Sequence, residues 1–432
     1  MTEWTNWAGN QRARPVSIVR PHSADEIPDV VVRAQGRVHA VGAGHSFTGA
    51  ALTDGVLVAL DHLTGIEGVA AGPDGTTDVT VRAGTRLHTL NDLLHARGLA
   101  LTNMGDIDVQ TLAGAISTGT HGTGARFAGL SAQVVGARLV LADGTEVTVS
   151  DGPLFECARL GLGAFGILTA VTMRCVPAFA LHAEETPGRL GEALERFPDD
   201  MRDVDHPEFY WFPHTDRVLT KRNTRLPADT PLSPVGRVSS WIDDELLSNS
   251  AFEVINRVTT RIPSIIPRVN TVSAAAWSGR TFTDRSSSVF ASSRRVRFRE
   301  MEYAVPPESV PSVIRAIEAW IARTGYRVTF PVEVRCAAAD DVWLSTAHGR
   351  DTAYVAVHQY HRRPVGGYFD AVEAIARDVG GRPHWGKLHS LTAGTLRSLY
   401  PRFDDVVAER ERVDPHGTFG NDYSDTVLAR LE

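Results

Sequence analysis

The chain has 432 residues, 43% of them apolar and 22% charged, with a formal net charge of −7. That length can bury a core large enough for two domains, and the mild negative charge, with no basic cluster interleaved with aromatics, argues against a nucleic-acid partner. Cys157, Cys175 and Cys336 are too few and too scattered for a disulfide framework or a zinc site, and no apolar run approaches the roughly eighteen residues of a membrane span. The cysteines read as buried thiols in a reducing compartment. The first residues show no basic stretch followed by an apolar one, so a cytoplasmic location is expected, with contact at a membrane surface left open.

Ser23 to Ala34 reads as a helix, with Ser23 as N-cap and Asp25 and Glu26 in the first turn. The β-like run Arg37–Ala40 leads into Val41-Gly42-Ala43-Gly44-His45-Ser46-Phe47-Thr48. Its two glycines permit a sharp turn and close approach to a ligand, and an imidazole follows at once. Strands are expected at Val56–Leu60 and Val79–Ala83, and a helix over Thr85–Arg97, where Leu87, Leu90, Leu93 and Leu94 recur at helical spacing. Past Asn103-Met104-Gly105-Asp106 comes a second small-residue loop, Leu112 to Gly124. Two such loops, each with hydroxyls and a histidine, suggest a cradle for a large phosphorylated cofactor. They match neither the P-loop nor the G-x-G-x-x-G fingerprint. Ala142-Asp143-Gly144-Thr145 reads as a hairpin turn before a strand at Glu146–Val149. The glycines of Leu160–Leu168 fit a tight turn or a close cofactor approach, and the strand Leu168–Met173 follows. The α+β first domain is expected to end near Val176.

From residue 177 the texture changes. Helices are expected at Gly188–Arg196 and Pro311–Arg323, a long surface loop at Leu226–Ser240 and a mobile loop at Arg280–Arg295. Phe330–Cys336 and Tyr354–Tyr360 alternate as strands. Were they neighbours in one sheet, Glu333, Arg335 and His358 would share a face, since side chains alternate along a strand. A guanidinium, a carboxylate and an imidazole on one wall suit polyol chemistry. On pattern alone, a solvated face with an incidental ion pair is the simpler reading. In Gly381–His389, an extended backbone would turn Lys387 and His389 the same way. His384 and His389 lack a third metal ligand at useful spacing, so an organic site is preferred and no metal is expected. His62, His88, His95 and His416 read as surface or capping residues, and Trp211, Trp241 and Trp277 as core or pocket wall.

Three motifs in order, Gly42–Phe47, Gly119–Gly124 and His384-Trp385-Gly386-Lys387, with Glu333-Val334-Arg335 between the last two, resemble those of the aldonolactone oxidoreductases. These are vanillyl-alcohol-oxidase-type flavoproteins, with alditol oxidases as near relatives, and the resemblance runs from Trp4 to Tyr423. It implies an α+β fold: an FAD-binding domain of the PCMH type with two subdomains over 1–176, then an α+β substrate domain over 177–432. Residues 384–432, with Asn421-Asp422-Tyr423, would return to the flavin.

The family's FAD contacts would fall on Val41, Gly42, Ala43, Gly44, His45, Ser46, Gly105, Asp106, Gly114, Ser117, Thr118, Gly119, His121, Gly122, Gly166, Ile167 and Lys387. His45 matches the histidine that many relatives join covalently to the flavin, and the second loop has no cysteine for a double attachment. Glu333, Arg335 and Lys387 match the residues lining the family's substrate site. The implied reaction is hydride transfer from a carbinol carbon of a sugar 1,4-lactone to flavin N5. Arg335 and Lys387 would stabilise the developing charge, Glu333 would orient a hydroxyl or fix Arg335, and His358 is a candidate proton acceptor, with the base left open.

Ala115 stands where alditol oxidases carry a substrate-contacting serine, which favours lactones. Gly105 aligns with a gate for O₂, which favours an oxidase releasing hydrogen peroxide. An alditol oxidase, a lactone dehydrogenase using a cytochrome or quinone, and a carbohydrate-binding protein on a flavin fold stay open, as does the oligomeric state.

Overall fold

A computed structural model describes residues 3–236, 251–292 and 296–429. The β-branched runs of the first third form two sheets. Ser17–Val19, Val56–Ala59 and Val38–Val41 make a small parallel sheet with Val56–Ala59 in the centre. A larger antiparallel sheet is ordered Glu146–Val149, Val134–Val140, Ile167–Pro177, Thr77–Arg82, Ile66–Ala71, with Leu99–Leu101 also pairing to Ile167–Pro177. Helix Leu87–His95 buries Leu87, Leu90 and Leu94 against this core. Ser23 caps its helix as expected, through a capping box with Glu26.

The second half is built on one antiparallel sheet of eight strands. Its order is Arg280–Arg285, Phe179–Arg189, Arg217–Pro227, His206–Trp211, Val332–Ala337, Thr352–Tyr360, Phe298–Val305, Arg382–Pro383. Register explains its two faces. Val334 lies opposite Phe209 and Val355, and Tyr303 opposite Val355, so these apolar side chains share the face packed by helices Leu190–Asp203, Val310–Thr324 and Gly366–Asp378. The intervening residues, Glu208, Tyr210, Glu333, Arg335, His358, Glu300 and Glu302, therefore share the other face, which is polar yet mostly buried, with Glu208 and Tyr210 half-buried at one side. Residues past 384 pack back on the N-terminal region, with the Val38 amide donating to the Thr418 carbonyl and Asn421 Nδ2 to the carbonyls of Gly49 and Ala50.

Several expectations change. Leu112–Ser117 is not loop but a short helix, capped by Thr111 Oγ1 accepting from the Gly114 amide at 3.2 Å. The stretch expected as a mobile loop contains an edge strand, Arg280–Arg285, and a helix, Ser286–Phe290, because Thr281, Phe282 and Thr283 pair with Glu184, Ala183 and His182. Arg217–Pro227 carries strand to the start of the expected surface loop at 226–240, and residues 237–240 of that loop, like 293–295 and Trp241, lie outside the described residues. The helix expected from Gly188 begins at Leu190 and extends to Asp203. Among the described residues no helix is long and apolar enough to cross a membrane.

Candidate active site

The loop after Val38–Val41 turns at Gly44, whose φ of +69° favours glycine, while a Cβ on Gly42 would fall 2.2 Å from Thr111 Oγ1. Backbone is thereby left bare along a narrow cradle of about 100 Å³. Val41, Gly42, Ala43, Gly44, Gly114, Ser117 and Gly166 line it. At His45, Ser46, Gln110 and Thr118 the cradle meets a chamber of about 520 Å³. Gly105, Asp106, His121, Glu300, Glu302, Glu333, Arg335, His384 and Lys387 line that chamber. The two loops separated by some seventy residues in sequence thus share one continuous cavity, and the polar sheet face closes its far side.

Arg335 is the hub of that face. Its Nη2 is 3.1 Å from Asp106 Oδ2, its Nε donates to Glu208 Oε2 at 3.0 Å, and it pairs with Glu333. Burial works against its charge, but Asp106, Glu333 and Glu208 outweigh it and hold the guanidinium well above its ordinary range. Tyr210 OH donates to Glu333 Oε1 at 2.9 Å, and Lys221 Nζ lies 3.4 Å from Glu208 Oε1. A second cation, Lys387, pairs with Glu300. Burial alone would raise the Glu300 carboxyl, yet Lys387 and His358 hold it down at about 2. His358 Nε2 lies 3.4 Å from Glu300 Oε1 but off the line of a hydrogen bond.

His45 stacks on Trp7, ring centroids 5.3 Å apart. Burial, then the charges of Arg86 and Lys387, lower its pKa to about 4, so the imidazole is neutral and nucleophilic near pH 7. The Phe47 amide donates to the Gly386 carbonyl at 2.7 Å, which fixes the His45 loop beside Lys387.

His121, Glu302 and His384 bring their ligand atoms within 4.8 Å of one another, a donor set that suits a metal ion. The tautomers argue otherwise. His384 Nδ1 accepts the Gly386 amide proton at 3.0 Å, so a neutral His384 carries its hydrogen on Nε2 and offers no lone pair there. Burial pushes His384 down to about 3, which keeps it neutral. The cluster reads as a hydrogen-bonded network around a buried carboxylate, with His121 Nε2 at 3.2 Å from Glu302 Oε1.

The structure thus gathers Glu333, Arg335, Lys387 and His45 around one chamber, and gives Glu333, Arg335 and His358 one face of adjacent strands. His358, however, lines an adjoining chamber rather than the main one. Gly119, Gly122 and Ile167 line neither cavity. A Cβ on Gly122 would strike the Met104 carbonyl at 2.3 Å, and Ile167 is core. Ala115 is fully buried and lines neither cavity, so it does not weigh lactone against alditol. His389 turns from the chamber to Tyr423 OH at 2.9 Å, apart from Lys387. Sequence reasoning missed Asp106 as a partner of Arg335, and missed Glu208, Tyr210, Glu300 and Glu302 altogether. The alternation in Phe298–Tyr303 would have marked Glu300 and Glu302.

The family model described as D-arabinono-1,4-lactone oxidase matches residues 171–427, and one described as FAD binding domain matches residues 15–150. The chain is 43% identical to L-gulono-1,4-lactone dehydrogenase of Mycobacterium tuberculosis, over 98% of this chain and 99% of that protein. It is 32% identical to L-gulonolactone oxidase of Scyliorhinus torazame, over 98% and 97%. Alditol oxidase of a Streptomyces species is also 32% identical, over 99% of each. The fold is similar to that of cholesterol oxidase from B. sterolicum, with a TM-score of 0.80 at 18% identity over 99% of this chain and 96% of that one. The FAD match contains both loops that line most of the cradle, at 41–46 and 110–118. A bare backbone channel opening onto a wide polar chamber fits a long dinucleotide carrying a flat ring system, and a side chain at Gly42 would displace Thr111 from the channel's lining.

Proposed function

From a chain that belongs to the D-arabinono-1,4-lactone oxidase family of FAD-linked oxidoreductases, we propose an enzyme that oxidises a carbinol carbon of a sugar-derived 1,4-lactone, of the arabinono-, gulono- or galactono- type. The carrying observation is the pair of cations in the main chamber, the buried Arg335 and the half-buried Lys387, each held by carboxylates, with His45 lining the same chamber beside Lys387. FAD, when bound, supplies the hydride acceptor.

Arg335 and Lys387 stabilise negative charge as it develops on the substrate oxygen. Their carboxylate partners hold both cations in place before substrate arrives, so little reorganisation is needed during reaction. Glu333 is fixed by Tyr210 and Arg335 and orients a substrate hydroxyl. Glu300, held at about 2, is a poor base near pH 7 and instead positions Lys387. His358, 3.4 Å from the same carboxylate, is the candidate proton acceptor. His45 forms the covalent link to the flavin, supported by its neutral imidazole at the junction of cradle and chamber.

Dioxygen is the acceptor in this reading, giving hydrogen peroxide. Gly105 supports it, for it lines the chamber with no side chain in the way. The relatives are named both dehydrogenase and oxidase, so oxygen uptake against dye reduction is the test of this part. The 32% identity to an alditol oxidase supports the second reading, oxidation of xylitol or sorbitol. Anaerobic bleaching by gulono- and arabinono-lactone, but not by xylitol, decides between them.

A further inference from the structure

Near the start of the chain, Asn6-Trp7-Ala8-Gly9-Asn10-Gln11 folds over the loop that carries His45. This arm joins two short paired strands, Trp4–Thr5 and Arg12–Ala13. The Trp7 amide donates to the Gly44 carbonyl at 2.8 Å, and Asn6 Nδ2 to the Ser46 carbonyl at 2.9 Å. Asn10 Nδ2 and Gln11 Nε2 both donate to the Phe47 carbonyl, at 2.8 and 3.0 Å. Trp4 covers Gly44 so closely that a Cβ there would lie 3.0 Å from its Cζ2. The arm thus holds the backbone of the loop at 44, 46 and 47 and leaves the side chain of residue 45 to a different kind of contact.

Among the described residues, His45 makes no side-chain hydrogen bond or ion pair, and neither ring nitrogen is sealed from the two cavities that it lines. What fixes its ring is Trp7. The two rings stack with centroids 5.3 Å apart and planes 22° from parallel. Trp7 is held in turn by edge contacts with Phe298 at 5.3 Å and Phe47 at 6.5 Å, and it lines the main chamber beside His45.

Stacking orients an imidazole through its face and leaves both nitrogens free. A hydrogen bond would orient it too, but would occupy one nitrogen as donor or acceptor. For a residue that only packs, the difference has no consequence. For one whose nitrogen must form a bond, stacking aims the nucleophile without using its lone pair.

We propose that Trp7 is a positioning residue for attachment of the flavin: its indole face holds the His45 ring in the orientation from which a free nitrogen bonds the flavin methyl carbon. This rests on the covalent link proposed above. In that step the nitrogen gains a bond to the methyl carbon, and the imidazole and the methyl each release one proton. The electron pair of the broken C–H bond passes to the flavin. Dioxygen then takes both electrons and two protons and leaves as hydrogen peroxide. Trp7 exchanges neither protons nor electrons.

The test is the rate of attachment. Full-length protein from riboflavin-starved cells is supplied with excess FAD in air and precipitated with acid at intervals. Flavin retained in the pellet is compared with flavin bound before acid. Trp7→Leu, which keeps an apolar side chain but no ring, should slow attachment at least about tenfold while total bound flavin stays within about twofold of native. Trp7→Phe, which keeps a ring face, should attach within about threefold of the native rate. Asn10→Ala removes one strut but leaves Gln11 on the same carbonyl, and should also stay within about threefold. Attachment by Trp7→Leu at the native rate would overturn the proposal. So would a loss in Trp7→Phe or Asn10→Ala as large as that in Trp7→Leu, because packing or loop position, not the stacked ring, would then set the rate. A colourless pellet from native protein that has bound FAD refutes the covalent link itself, and with it any attachment role for Trp7.

Discussion

Replacing Arg335 by methionine keeps the length of the side chain and removes a charge that three carboxylates share. Asp106 and Glu208 oxygens lie 3.1 and 3.0 Å from its nitrogens, and Glu333 completes the cluster. At an effective dielectric of about 20, a pair at that distance carries about 5 kcal/mol of gross attraction. Desolvation of the four groups takes back most of the sum. Removing the cation alone leaves the three carboxylates to repel one another, with Lys221 still at Glu208 and Tyr210 still at Glu333, and costs about 3–5 kcal/mol of stability.

The catalytic consequence is separate. A preorganised charge at the developing oxyanion is worth about 10² to 10³ in rate. Stopped-flow bleaching of the flavin by a lactone, without oxygen, should therefore slow by about that factor in Arg335→Met. Flavin content should hold, since Arg335 lies outside the cradle. Arg335→Lys should fall between, because an ammonium cannot bridge three carboxylates in fixed geometry. Adding Glu208→Gln to Arg335→Met should recover part of the urea midpoint but none of the rate. Bleaching within about threefold of the native rate, with FAD still bound, would refute the role assigned to the guanidinium.

His45→Ala should give a protein whose acid precipitate is colourless, where the native precipitate is yellow; a yellow variant pellet would place the covalent link elsewhere. Because His45 titrates at about 4, attachment of added FAD to the cofactor-free protein should be insensitive to pH near neutrality and fall as the pH drops through 4. Gly105→Ala should slow reoxidation by O₂ yet spare dye reduction. The new methyl would sit 3.0 Å from Thr120 Cγ2, so a small backbone shift is expected, and equal loss of both activities would count against a gate. The Glu300 carboxyl is held at about 2 against an ordinary 4.5, so the stability from its pairing is full above 4.5 and is lost as the pH falls through 2. Lys387→Met should remove that acid-side slope from a series of urea midpoints, and an unchanged slope would show that the pair contributes nothing.

The sequence disclosed those parts of the site whose geometry follows a local rule. Strand alternation put Glu333 and Arg335 on one face, and the observed register, Glu333 against Ala356 and Arg335 against Tyr354, extends that face to His358. The glycines at 42 and 44 declared a backbone constraint that needs no tertiary knowledge. What stayed hidden depends on strand order. Nothing local says that Phe298–Val305 joins Thr352–Tyr360, so Glu300 could not be matched to Lys387, nor Asp106 to Arg335. The helix Ile266–Ala276 stayed hidden because it buries Asn270 and exposes Val272, which blurs the amphipathic signal. Ala115, read as a specificity position from resemblance, is core, because the segment is a helix whose apolar residues face inward.

The account stands most directly on a visible spectrum taken before and after a sugar 1,4-lactone is added to the purified holoenzyme under argon. It expects flavin bands that bleach on addition of gulono- or arabinono-1,4-lactone and return when air is admitted. A protein that takes up no flavin when FAD is supplied in excess, or flavin bands that no lactone bleaches, would contradict it.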